Sequence, residues 1–405
     1  MINVEHLTTW STTTLENEST IEATDAAARP LRLVIAGGGT GGHISPAVAV
    51  IDELRSRLDL NPLWIGSAEG YESTVARSMS IPFRIIRTGK LRRYASFQTL
   101  LDTVRFPIGV SQSRAILRQF QPDVIFSTGG FVSVPTVIAG RTLGIPSLTH
   151  EQTAYIGLAT KINARFCNVV ALSFDRSKTY LSPHAPVVVT GNPIRQAVIN
   201  GSAPRGLTAL GFNDTLPFVY ITGGALGSRA INAAVRDALP ELLEHAQLLH
   251  QCGPRSAHED VDLLYHRAAS LPDQLRGRYV VRERVGDELG DVYAATTLVV
   301  GRAGAGTVNE LAALGIPAIL IPLPGAEEQR QNALVLVEAG SAVMYRQDDL
   351  TAASLTDHIL ELLFDKQRLN DKRIASQILD PTQPARLLAD ELMRLASDGG
   401  YPSAA

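Results

Sequence analysis

Residues 34–54, VIAGGGTGGHISPAVAVIDEL, and residues 219–239, VYITGGALGSRAINAAVRDAL, follow one plan. Each is an apolar run, a glycine turn, and then apolar residues at helical spacing, so each reads as strand, tight turn and helix. A strand that passes straight into a helix is the first half of a βαβ unit, and its next strand runs parallel. The alternation continues around both copies. LRLVIA, PLWIGS, DVIFSTGG, PSLTHE, NVVALS and PVVVTGN make a first series, with a helical pattern over about 95–119. LPFVYITGG, AQLLHQCG, GRYVVRER, TTLVVGRAG and IPAILIPLP make a second.

This is a repeat at domain scale, not a solenoid period. It predicts an α/β chain of two Rossmann-like parallel-sheet domains, facing each other across a cleft at the carboxyl ends of their strands, where open α/β sheets bind ligands. With 405 residues the chain has room for two such units. The expected organisation is a loosely ordered extension at 1–30, a first domain at 31–195, a linker at 196–215, a second domain at 216–384, and a C-terminal helix and tail at 385–405. That last helix, ARLLADELMRLAS, either caps the second domain or crosses back to the first. Residues 1–30 lack the basic start and apolar middle of a signal peptide, and no apolar run reaches the ~18 residues of a membrane span. Cys167 and Cys252 have neither metal spacing nor a disulfide framework, and a cytoplasmic protein is expected. A net charge of −3 argues against a bulk nucleic-acid binder. One local exception, residues 87–106, is basic and amphipathic.

Gly37 to Gly42 satisfies G-x-G-x-x-G, the spacing of a dinucleotide site. Such a site also needs an acid at the end of the second strand for the ribose, and PLWIGS ends in Gly-Ser. The glycines therefore read as admitting a ligand close to the backbone. His43, at the first turn of the following helix, is placed to act as a base near neutral pH. The turn Gly223–Ser228 puts backbone amides at a helix start, an anion site suited to a diphosphate. In a third turn, Arg302–Glu310, Thr307 and Glu310 fit a capping box, or else Glu310 accepts hydrogen bonds from ribose hydroxyls. Gln329 and Asn332 supply neutral donors and acceptors for a sugar. His150-Glu151-Gln152 and Thr128-Gly129-Gly130 close two strands at the cleft. Neither a metal-holding Asp-x-Asp after a strand nor a P-loop is present; Asp260 and Asp262 read as a solvated face.

"AGGGTGGHISPAVAV", "GKLRRY", "STGGFVSVP", "HEQT", "GNPIR", "GGALGSRAIN", "RAGAGTVNELAALGIPAILIPLP" and "QRQNA" occur in this order. Together, over roughly residues 31–395, they resemble the MurG family of bacterial glycosyltransferases, which add N-acetylglucosamine to undecaprenyl-diphospho-muramoyl-pentapeptide. The resemblance implies a GT-B fold and no cofactor or metal. It implies His43 as catalytic base, with Thr40, Gly41, Gly42, Gly129, Gly130, Glu151 and Thr153 on the acceptor side. For the donor, UDP-N-acetylglucosamine, it implies Arg195, Ala225, Leu226, Gly227, Gly286, Ala305, Glu310, Gln329 and Asn332. Residues 87–106 then read either as an ordinary amphipathic surface helix or as a dock on an anionic inner leaflet, through Lys90, Arg92, Arg93, Phe97, Leu100 and Leu101, and the resemblance places the enzyme on the cytoplasmic side of the cell membrane.

Three positions depart from the family pattern. Thr153 stands for an asparagine, and Ala225 and Ala303 for serines. A lost hydrogen bond to a charged phosphate costs about 1.5–3 kcal/mol. The rival readings are a GT-B transferase with another acceptor, a UDP-sugar epimerase, and a catalytically weak UDP-sugar- or lipid-binding homologue.

Overall fold

The computed structural model describes residues 29–39, 41–68, 70–88, 97–257, 261–376 and 382–401. Its first sheet has seven strands: β1 (Leu31–Gly37), β2 (Leu60–Gly66), β3 (Phe83–Ile85), β4 (Val124–Gly129), β5 (Ser147–Glu151), β6 (Val169–Leu172) and β7 (Val187–Val189). Its second has six: β8 (Phe218–Thr222), β9 (Gln247–Gln251), β10 (Tyr279–Arg282), β11 (Leu298–Gly301), β12 (Ala318–Leu320) and β13 (Ala342–Met344). The spatial orders are β3-β2-β1-β4-β5-β6-β7 and β10-β9-β8-β11-β12-β13. Every pairing is parallel. β4, β5, β8 and β9 are buried at every position, because helices cover both faces.

Strand order reverses between β1 and β4 in the first sheet and between β8 and β11 in the second. The crevice of a doubly wound sheet opens at that reversal. The turns that leave β1 and β4 therefore flank one crevice, and the turns that leave β8 and β11 flank the other. All four turns are glycine-bearing.

The segment 196–215, expected to be a linker, is folded. It carries the helices Gln196–Ile199 and Ala203–Leu210. Val198, Leu210 and Phe212 join the core of the second domain, and Arg205 pairs with Asp291 at 2.6 Å. Two of its glycines serve close packing: a Cβ on Gly201 would stand 1.9 Å from the Gly290 carbonyl oxygen, and one on Gly206 2.2 Å from that of Asp291.

The last helix, Gln383–Asp398, crosses back to the first domain. Leu388, Leu392 and Leu395 pack with Leu33, Ile51, Leu54, Val124 and Phe126 on one face of the first sheet. Leu392→Ala is expected to lower stability by about 2–5 kcal/mol, against little change for the half-exposed Leu387→Ala; urea unfolding of the two variants makes the comparison.

The two domains also meet at the cleft. The helices Gly41–Arg55 and Ala305–Leu314 pack together. Asn309 Nδ2 donates to the Gln152 carbonyl at 3.0 Å, and the Ala154 amide donates to Asn332 Oδ1 at 2.9 Å. Further out, Arg284 reaches the Tyr71 hydroxyl at 3.3 Å and lies over its ring, and Arg176 pairs with Glu338 at 3.0 Å. Among the described residues no helix is long and apolar enough to cross a membrane.

Candidate active site

β1 ends at Gly37 and the helix Gly41–Arg55 starts four residues later. A Cβ on Gly37 would lie 2.1 Å from Thr128 Oγ1, and one on Gly38 2.2 Å from the Glu72 carboxyl carbon. Those two glycines are required by the protein's own side chains. Only Gly39, at φ +90° with no atom within 4 Å of a built Cβ, presents an open backbone face. The expectation that the whole run admits a ligand narrows to that residue and to the helix start at Gly41 and Gly42. Thr40 lies outside the described residues.

Sequence reasoning missed Glu72. Fully buried at the start of the helix Glu72–Ser78, it accepts from the Gly39 amide (3.0 Å), the Ser67 amide (2.9 Å) and the Ser67 hydroxyl (2.7 Å). Burial alone would raise its carboxyl, but these hydrogen bonds bring it below its usual range. An acid does therefore reach the first glycine turn, but it is bonded to the turn itself. The dinucleotide reading fails for this geometric reason as well.

His43 is half-buried. Its Nδ1 lies 2.8 Å from the Thr128 carbonyl and 3.0 Å from Gln152 Oε1. Both are acceptors, so Nδ1 carries the ring proton and Nε2 presents a lone pair. No described residue bonds Nε2. Gly129 and Gly130, at φ +92° and +76°, make room for the ring; a Cβ on Gly129 would come within 3.2 Å of it.

Gln152, which the sequence placed at the cleft without a role, is the side chain that orients this histidine. Its Nε2 donates to the Thr128 carbonyl at 2.6 Å. Turning the amide over would set Oε1 against that carbonyl, so Oε1 is held toward His43. Behind it stands the buried His150, whose Nε2 is 3.1 Å from the Gly191 carbonyl and whose Nδ1 is 3.4 Å from Gln152 Nε2. Burial pulls the His150 ring down to about 4, so it is neutral and accepts from Gln152 through Nδ1.

The polar atoms of Glu151 and Thr153 are spent on their own loop. Glu151 accepts from the Thr153 amide and hydroxyl at 3.2 and 2.7 Å and from the Gly157 amide at 3.3 Å. Both residues are buried, and they shape the cleft wall beside Gln152 instead of offering free groups. Glu328, missed as well, looks across the cleft at this wall. Its desolvation there and the Glu151 carboxylate push its carboxyl up, and His43 opposes the shift.

On the opposite side, the turn Gly223–Ser228 leads into the helix Arg229–His245. Ser228 caps that helix, accepting from the Ile231 amide at 3.5 Å and from buried Arg302 at 2.6 Å. Arg302 also bonds Gln347 Oε1 at 2.6 Å and the Ile321 carbonyl at 3.0 Å, and burial pulls its guanidinium down. Ala225 and Leu226 are exposed on the turn. Gly227, at φ +74°, would place a Cβ 2.0 Å from the Cys252 carbonyl. Gly227→Ala therefore combines left-handed strain of about 1–3 kcal/mol with a backbone clash, and is expected to lower the melting temperature and weaken UDP binding. Gly277→Ala, at φ −69° and with open space around its Cβ away from the cleft, is the control that leaves both unchanged in thermal and titration measurements.

The capping-box reading of Thr307 and Glu310 is corrected. Their helix starts at Ala305, with Gly304 as its cap and no side-chain cap bond. Glu310 instead accepts from the Tyr293 hydroxyl at 2.9 Å. Burial pushes its carboxyl up to about 7, against the opposing pull of Tyr293 and Arg195. The Nε of Arg195 is buried with no hydrogen-bond partner. Gln329 Oε1 is held by the Leu323 amide at 3.0 Å, and the exposed Gly286 has its amide 3.2 Å from Glu288. Asn332 is completely buried between the Ala154 amide and the Ala303 carbonyl, which makes it a contact between domains rather than a free sugar reader. Lys90, Arg92 and Arg93 lie outside the described residues. Phe97, Leu100 and Leu101 fall on the helix Phe97–Phe120, in a stretch whose side chains are not described.

Two doubly wound parallel sheets, with their strand-order reversals and glycine turns facing each other across one cleft, define a GT-B fold. The comparisons agree. Glycosyltransferase family 28 N-terminal and C-terminal domain models match residues 33–172 and 218–392. The UDP-N-acetylglucosamine–N-acetylmuramyl-(pentapeptide) pyrophosphoryl-undecaprenol N-acetylglucosamine transferase of Legionella pneumophila (strain Paris) is 35% identical over 355 residues, 86% of this chain and 94% of the relative. A transferase of the same description (number 2) from Bacillus cereus is 37% identical over 334 residues, 82% of this chain and 91% of its own length. The crystal structure of MurG from Acinetobacter baumannii superposes with a TM-score of 0.70 at 27% identity, covering 90% of this chain and all of that one (100%). A calicheamicin glycosyltransferase, CalG4, at 14% identity and a TM-score of 0.65, shares the fold. The chain belongs to glycosyltransferase family 28 and, within it, to the MurG family.

Proposed function

We propose that this chain transfers N-acetylglucosamine from UDP-N-acetylglucosamine to the 4-hydroxyl of an undecaprenyl-diphospho-muramoyl-pentapeptide, with inversion at the sugar carbon. The observation that carries the reading is His43: its Nδ1 is committed to two acceptors, which leaves the Nε2 lone pair for a proton at the cleft. The acceptor hydroxyl gives that proton to Nε2 as its oxygen bonds the anomeric carbon. The bond from that carbon to the diphosphate breaks, UDP departs, and the α linkage of the donor becomes β.

The helix starts at Gly41 and Arg229 turn the positive ends of their dipoles toward developing or resident phosphate charge. The acceptor diphosphate lies at Gly41 and Gly42, and the donor diphosphate at the backbone of Ala225–Gly227 and Ala305. Glu310 receives the ribose hydroxyls, Arg195 stands beside it, Gln329 meets the sugar, and the uracil lies by Gly286. Peripheral docking on the anionic cytoplasmic leaflet, through Lys90, Arg92, Arg93, Phe97, Leu100 and Leu101, would bring the lipid-linked acceptor to the first domain.

The test supplies purified chain with labelled UDP-N-acetylglucosamine and a short-chain lipid-linked muramoyl-peptide. Transfer of label that depends on His43 is the expected result. Absence of transfer, or conversion of the sugar nucleotide without acceptor, sinks the reading.

A further inference from the structure

The loop that follows β5 belongs to the first domain but is gripped by the second. Asn309 donates to the Gln152 carbonyl at 3.0 Å, and two residues on, Asn332 accepts from the Ala154 amide at 2.9 Å. Both asparagines are buried, at 6% and 0% exposure. Asn309 also donates to the Ala305 carbonyl at 2.8 Å, so both amide hydrogens of its side chain are engaged and none is left for a ligand. Its sequence neighbour Glu310 points elsewhere, to Tyr293. Asn309 thus sits in the donor-side domain and has its donors committed to protein carbonyls.

What Asn309 holds matters because of what Gln152 holds. The main-chain oxygen of Gln152 is fixed by the second domain, and its side chain reaches His43 Nδ1 at 3.0 Å and the Thr128 carbonyl at 2.6 Å. One residue therefore has its backbone tied to one domain and its side-chain amide tied to the histidine of the other. If the domains part, the Gln152 carbonyl and the Ala154 amide lose these partners, and the side chain that aims His43 loses its anchor.

We propose that Asn309 is a positioning residue for the transfer: by holding the Gln152 carbonyl across the domain junction, it fixes the side chain that aims His43, so that seating of the donor domain and alignment of the base are one event. The proposal rests on the reading of His43 as the base. Misplacement of a reacting group by about 1 Å costs as much as 10²-fold in rate, and loss of this single anchor is expected to cost on the order of 10-fold.

The experiment compares the full-length chain with Asn309→Leu, Gln152→Leu and the double variant. It reads kcat, KM for UDP-N-acetylglucosamine, UDP affinity by calorimetry, and the His43 ring nitrogens by 15N NMR. The expected result is a lower kcat in each single variant, with KM and UDP affinity changed by less than about twofold. The double variant should be no slower than Gln152→Leu, since both act through one link. The His43 Nδ1–H signal should broaden or shift in Asn309→Leu. Losses that multiply in the double variant, an unchanged kcat, or UDP affinity that falls with kcat would each overturn the proposal. If Asn309→Leu does not fold, Asn309→Ser makes the same test with a smaller side chain. A wild-type chain that transfers no sugar defeats the functional reading instead; the His43 spectrum of the Asn309 variant then decides the positioning link by itself.

Discussion

Replacing His43 by alanine is expected to lower turnover by roughly 10²- to 10⁴-fold, the range in which positioned proton transfer contributes, and to leave UDP affinity within about twofold. The split follows from geometry. His43 touches Thr128 and Gln152 of its own domain and holds no group of the turns at Gly223 or Gly304. Its ring fills the space above Gly129 and Gly130, so the alanine protein should retain its fold, with a small void at the cleft surface. Steady-state kinetics with saturating donor, and a UDP titration, check the two halves. A loss of UDP affinity that parallels the loss of turnover would mean that the histidine shapes the cleft rather than takes the proton.

Glu310 carries the second large effect. Its carboxyl, pushed up to about 7 by burial, is partly protonated at neutral pH in the free protein. Ribose hydroxyls donate hydrogen bonds, and a carboxylate accepts more of them than a carboxylic acid does. UDP binding should therefore favour the ionised form, weaken as the pH falls from 7 toward 5.5, and release protons in that range. Calorimetry of UDP in two buffers of different ionisation enthalpy measures the release directly. Glu310→Gln should bind UDP more weakly at pH 8 by about 10-fold, equal to ~1.4 kcal/mol, and should abolish the proton release. The sign for the unliganded fold runs the other way. The folded state holds this proton more tightly than the unfolded chain, whose carboxyl titrates near 4.5. The contribution of Glu310 to stability is therefore complete below about 4.5 and is lost as the pH rises through 7.

The architecture was legible because parallel strands covered on both faces are uninterrupted apolar runs, and eleven of those runs could be quoted from the chain. β3 and β13 escape because both are three-residue edge strands, Phe-Arg-Ile and Ala-Val-Met, without the run of valines that marks the equally short β7. The segment 196–215 reads as a linker because glycine signals both looseness and close approach; at Gly201 and Gly206 the second meaning holds. Thr307 and Glu310 have the spacing of a capping box, but the helix begins too early for Thr307 to be its cap. In the site, His43 stood out from its glycine context. The roles of Glu72, Gln152 and Asn309 did not, since each acts on a partner brought near only by the fold, 33, 109 and 157 residues away along the chain. A polar residue whose task is set at such separation leaves no local pattern.

The return of the helix Gln383–Asp398 to the first sheet has a consequence for the order of assembly. One face of that sheet is closed only when Leu388, Leu392 and Leu395 arrive, and the Tyr401 hydroxyl then reaches the Arg29 carbonyl at 3.0 Å. On the ribosome the second domain has all its strands before this happens. The domain synthesised earlier is thus completed after the later one, and until residues 388–395 are made it carries an uncovered apolar strip of the kind that recruits chaperones.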